Sequence, residues 1–177
     1  MEISKPTYIV AELSGEVASW IHSTRVTLEP GIAHFPEEIT LAGSSGVGPI
    51  SKGQKLSVVI SQLEQVLQSQ PCIQFKFKGI SHFPGTEIFF VEPEREDFDR
   101  LHAKIIETAI VFDDSPFPYN PHCTLKSLTS VESFHEDIIS NLVIPVSEHC
   151  IRKISIYELD VMKSIKLWER ELIKTSR

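Results

Sequence analysis

Asn120-Pro121-His122-Cys123-Thr124-Leu125 places a proton carrier and a hydroxyl two residues apart. An imidazole titrates near neutrality and can move a proton in either direction, and a threonine hydroxyl can donate to an anionic oxygen. In an extended chain residues i and i+2 share a face, so His122 and Thr124 point one way while Cys123 and Leu125 point into a core. Pro121 supports the extended reading, because it disfavours helix at Asn120 and, lacking a backbone N–H, marks a strand entrance. Alone, His-x-Thr is a weak signal.

A second segment adds weight. Glu38-Ile39-Thr40-Leu41 aligns with His122-Cys123-Thr124-Leu125 as an x-apolar-Thr-Leu segment, and each leaves a strand–helix unit. Two such units about a pseudo-twofold axis bring Thr40 and Thr124 to one central cleft, each with a proton-transfer residue two positions before it.

Residue patterns place the elements around these segments. Residues 7–13 are rich in β-formers, and Ser14 offers an N-cap to a helix over 15–28 with Val17, Ile21 and Leu28 on one face. A second strand ends the stretch 34–43. Residues 43–53, rich in Gly and Ser, read as a mobile surface loop before a helix over 55–68. Strand, glycine loop and helix form the setting of a phosphate-binding loop. The letters fail, since Gly53 is followed by Gln54 and Lys55, and Gly46-x-Gly48 is followed by Ser51.

Residues 72–83 alternate as one half-exposed strand, with 86–91 returning after Pro84-Gly85. A helix over 94–110 buries Phe98, Leu101, Ile105 and Ala109, and a proline-broken loop over 111–119 leads into the His122 strand. A short helix over 133–142 and two strands, 152–161 and 165–173, joined at Lys163-Ser164, complete the chain. This mixed order with hairpins predicts an α+β fold with largely antiparallel sheets. The remaining histidines on these elements (His22, His82, His102, His135, His149) read as structural or surface residues, and His22 has no partner at useful spacing.

A hydrophobic content of 41% with 23% charged residues excludes wholesale disorder and suits a globular protein. No stretch approaches the roughly 20 apolar residues of a membrane span, and residues 1–13 lack the pattern of a secretion signal, so a cytoplasmic protein with no membrane partner is the expectation. Cys72, Cys123 and Cys150 are odd in number and widely spaced, which supports neither a disulfide framework nor a Cys-x-x-Cys metal site. The formal charge of −7 argues against a long nucleic-acid duplex and leaves room for a small anionic ligand held by local donors.

With the two half-repeat segments, Tyr8-Ile9-Val10-Ala11-Glu12-Leu13, Gly79-Ile80-Ser81-His82-Phe83-Pro84, Leu101-His102 and Ile156-Tyr157-Glu158, the chain resembles the two-histidine (2H) phosphoesterase superfamily. This is the family of 2′-5′ RNA ligase-like proteins and RNA 2′,3′-cyclic phosphodiesterases. The resemblance implies one duplicated, two-lobed domain over 1–177, two His-x-Thr/Ser motifs, and hydrolysis without metal or other cofactor. It assigns proton transfer to His122 and to Glu38, which stands where the family has its first histidine, and phosphate binding to Thr40 and Thr124.

Lys126 beside the second motif joins the phosphate-binding candidates, and Tyr119 and Phe117 are candidates for base stacking. The expected ligand is a small nucleotide or short RNA end. His34 enters as a substitute for the missing histidine only if its loop folds back, because four residues along a strand span roughly 13 Å. Three readings stay open: a phosphodiesterase with a Glu/His pair, a nucleotide-binding module without efficient turnover, and a cleft serving an unrelated substrate or protein partner.

Overall fold

A computed structural model of the chain describes residues 1–127, 137 and 139–174. Strands β1 (Thr7–Glu12), β2 (Glu38–Ala42), β8 (Lys153–Asp160) and β9 (Lys163–Glu171) form an antiparallel sheet in the order β2-β1-β8-β9. A second antiparallel sheet has the order β4-β5-β6, from β4 (Phe77–His82), β5 (Phe89–Pro93) and β6 (Cys123–Lys126). A two-stranded ribbon of β3 (Ile73–Phe75) and β7 (His149–Ile151) links them, since β3 leads into β4 and β7 into β8. The fold is α+β, as the element order predicts.

Helices α1 (Gly15–Leu28) and α3 (Glu96–Ile106) reveal the pseudo-twofold relation. The units β1-α1-β2 and β5-α3-β6 correspond, and their last strands, β2 and β6, are sheet edges that pack against each other. Each helix packs on the other unit's strand, α1 on β6 and α3 on β2. Strand alternation then separates chemistry from core. Ile9, Ala11, Ile39, Leu41, Ile154 and Ile156 are fully buried, whereas Glu38, Thr40, Glu12 and Tyr157 occupy the opposite face. Helix α2 (Leu56–Leu67) adds Val59, Leu63 and Leu67 to the core. Each large apolar side chain so buried contributes about 1.5–3 kcal/mol against exposure.

Several expectations need correction. Residues 72–83 form two strands, because the chain changes partner at Lys76 from β7 to β5 while keeping its alternation. The hairpin partner begins later than expected, at Phe89, and α3 is shorter at both ends than 94–110. Ala109 is exposed and Ile110 takes the buried position. The last hairpin turns at Val161-Met162, with Val161 at φ 57°, not at Lys163-Ser164. Ser14 has the extended N-cap backbone but makes no side-chain cap bond among the described residues. Half of the helix expected over 133–142 lies outside the described residues, as does His135; residues 137, 139 and 140 are helical.

The loop over 43–53 is anchored, with Ser45 and Ile50 buried. Gly46 and Gly48 donate backbone hydrogen bonds to the Phe117 and Asp113 carbonyls, at 2.8 and 2.7 Å, and Ile50 donates to the Thr7 carbonyl. Gly46 has φ +73°, and a Cβ there would collide with the His102 ring and Tyr119 Cβ. The glycines serve close packing against the 111–119 loop.

Candidate active site

His122 lies immediately before β6, and Thr124 lies within it. The His122 Nδ1 is 2.7 Å from the Asn120 carbonyl, which can only accept, so Nδ1 carries the proton and Nε2 keeps the lone pair in the neutral ring. Asn120 is itself held, since its N–H donates to Ser45 Oγ at 3.1 Å. The anchored loop thereby orients the imidazole through Asn120. Phe83 meets the ring edge-on at 5.1 Å between centroids, and Phe90 lies at 5.0 Å. Burial among these groups holds the imidazole below its usual range, partly offset by the Asn120 carbonyl and the Glu92 charge.

Glu38 opens β2, two residues before Thr40. The residue keeps some solvent contact, but protein surrounds its carboxyl. Burial pushes that carboxyl up to about 7, while the Arg25 guanidinium and the Thr40 hydroxyl pull in the other direction. Thr40 Oγ1 donates to both Glu38 oxygens at 3.2 Å.

Arg25 was not legible as a site residue, although its position on α1 gives the signal. It falls four residues after Ile21 on the stripe that also carries Val17 and Leu28, and it is only 4% exposed. A guanidinium buried there is costly unless its N–H groups find acceptors. Its Nε donates to the Thr124 carbonyl at 2.9 Å, and one terminal nitrogen donates to the Phe35 and Pro36 carbonyls, both at 3.0 Å. The other lies 3.6 Å from Cys123 Sγ. Arg25 therefore joins β6 to the approach to β2 and places positive charge near Glu38.

Arg25→Met is expected to destabilise the fold by about 3–5 kcal/mol, because three carbonyls lose a charged donor. Urea unfolding monitored by circular dichroism checks this.

The other candidates have mixed placements. Lys126 is fully buried at the end of β6 and interacts with other protein groups. Tyr119 stacks on His102 with 3.8 Å between centroids and 2° between planes, and its hydroxyl donates to the Thr40 carbonyl at 3.3 Å. Burial raises its phenol pKa strongly, which keeps it a donor. His102 Nδ1 in turn donates to the Leu41 carbonyl at 2.6 Å, so one ring face of Tyr119 is occupied and the pair braces β2. Phe117 is 65% exposed and offers an open ring.

His34 does not reach the place of Glu38; its Nε2 donates to the Met162 carbonyl at 2.7 Å. His22 does have a partner, Glu37, at 3.2 Å. A groove of about 430 Å³ runs past these residues, with Glu12, Phe35 and Tyr157 in its walls. Tyr157 donates to Glu12 at 2.9 Å, and Lys166 forms ion pairs with Glu12 and, at 2.8 Å, with Glu169. Among the described residues, no helix is long and apolar enough to cross a membrane.

A comparison with curated proteins gave no match. Among solved structures, the chain is similar to Escherichia coli LigT complexed with 3′-AMP, with a TM-score of 0.59 and 16% identity over 95% of this chain and 98% of that one. It is also similar to TT0787 of Thermus thermophilus, with a TM-score of 0.62 and 15% identity over 97% and 98% of the two chains. At these identities the likeness establishes the fold. A family model described as the 2′-5′ RNA ligase superfamily matches residues 15–161. With that match over most of its length, the chain belongs to the 2′-5′ RNA ligase superfamily of 2H phosphoesterases.

Proposed function

We propose that the chain acts as one two-lobed domain hydrolysing a 2′,3′-cyclic phosphate, or a related phosphodiester at a nucleotide or RNA end, with His122 as base and Glu38 as acid. The observation that carries this reading is the opposite displacement of the two groups. Burial keeps His122 neutral at pH 7 and raises Glu38 to about 7, so that a substantial fraction of the carboxyl stays protonated. His122 Nε2 takes a proton from water as the water oxygen attacks phosphorus, and Glu38 gives its proton to the departing ribose oxygen.

A neutral Glu38 also removes like-charge repulsion from the phosphate and weakens its hold on the Thr40 hydroxyl. Thr40 and Thr124 then donate to the non-bridging oxygens. Phe117 offers a stacking face for a base, and Tyr119 positions Thr40 through its backbone. LigT complexes with 3′-AMP, ATP and NADP+ support a small-nucleotide ligand, in keeping with the acidic charge balance.

The test is incubation of the wild-type protein with 2′,3′-cyclic AMP and with a short RNA ending in a cyclic phosphate. Conversion to one monophosphate isomer is expected. Binding of both probes without turnover overturns the hydrolase reading in favour of a nucleotide-binding module.

A further inference from the structure

Two thiols far apart in sequence meet on the β3–β7 ribbon. Gln74 stands directly opposite Cys150 in the antiparallel register, and Cys72, two residues before Gln74, shares its face. The Gln74 amide nitrogen lies 3.7 Å from Cys72 Sγ, so the side chain facing Cys150 also touches Cys72. Burial and the neighbouring Cys72 thiol push the Cys150 thiol up, while Arg152 pulls it down. Both cysteines are half-buried, accessible to a small oxidant, whereas Cys123 is fully enclosed. Cys72 lies just outside β3, where its N–H donates to the Ile173 carbonyl at 3.0 Å, and the register sets it diagonal to Cys150, so a bond between the sulfurs requires a shift of the backbone before β3.

We propose that Cys72 and Cys150 are a modification site: a peroxide or a low-molecular-weight disulfide oxidises them to an intramolecular disulfide that joins the two halves of the fold. With hydrogen peroxide, one thiolate attacks an oxygen, the O–O bond breaks, hydroxide leaves and a sulfenic acid forms. The second sulfur attacks that sulfur, and the sulfenic oxygen leaves as water. Two thiols and one peroxide thus become one disulfide and two waters. The bond has a structural consequence because β3 leads into the β4-β5-β6 sheet and β7 into the β2-β1-β8-β9 sheet. It closes a long loop across the only described ribbon shared by the two sheets, and long loops gain most from closure.

The experiment treats the full chain with hydrogen peroxide, and separately with oxidised glutathione, followed by alkylation, intact mass and peptide mapping. The expected product is a monomer lighter by two hydrogens, with Cys72 and Cys150 in one linked peptide and Cys123 still alkylated. Cys72→Ser and Cys150→Ser should each abolish the link. The linked protein should melt on the order of 10 °C above equally treated Cys150→Ser. Sulfinic or mixed-disulfide products without the link, or links only between molecules, overturn the proposal. A linked form that melts no higher refutes its role in joining the halves.

Discussion

His122→Ala is expected to lower kcat/KM toward a 2′,3′-cyclic nucleotide by roughly 10²–10⁴-fold, the usual contribution of a positioned general base. The fall should lie in kcat, with KM little changed, because phosphate contacts are assigned to Thr40 and Thr124 and the proton transfer occurs only in the transition state. The ring also packs on Phe83 and Phe90, so some stability goes with it. Steady-state kinetics at a temperature well below the melting midpoint separate the two effects. His122→Gln, which fills similar space without a titratable nitrogen, should be equally slow.

Glu38→Gln is the second large effect, again roughly 10²–10⁴-fold in kcat/KM, because an amide cannot protonate the leaving oxygen. This variant should not be less stable at alkaline pH. The folded-state value of Glu38, about 7, lies above its ordinary value of 4.5, so the folded protein binds the extra proton. Any stability from that proton is fully present below the ordinary value and is lost as pH rises through about 7. Removing the ionisable group therefore spares the folded state a buried charge, and Glu38→Gln should gain on the order of 1 kcal/mol over wild type above pH 7. Loss of activity together with gain of stability distinguishes a residue kept for chemistry from one kept for packing.

Much of this site is legible as local pattern. The x-apolar-Thr-Leu segments at Glu38 and His122 display the half-repeat because a strand writes its two faces into alternate residues. What pattern reading misses is long-range pairing. Residues 72–83 keep one alternation across a change of partner, and Cys72 and Cys150 are neighbours only because β3 meets β7. The glycine-rich stretch at 43–53 reads as mobile, yet its amide groups are satisfied by carbonyls more than 60 residues away at Asp113 and Phe117. Arg25 carries a readable anomaly, a charge on an apolar helical stripe, but only the fold shows that its partners are Thr124, Phe35 and Pro36.

The pH dependence of kcat/KM for wild type bears most directly on the Glu38/His122 pair. A bell is predicted, rising below pH 6.5 as His122 loses its proton and falling near pH 7 as Glu38 loses its own. The falling limb should be missing from the residual activity of Glu38→Gln. A wild-type profile that stays level or climbs above pH 7 would contradict Glu38 as the acid.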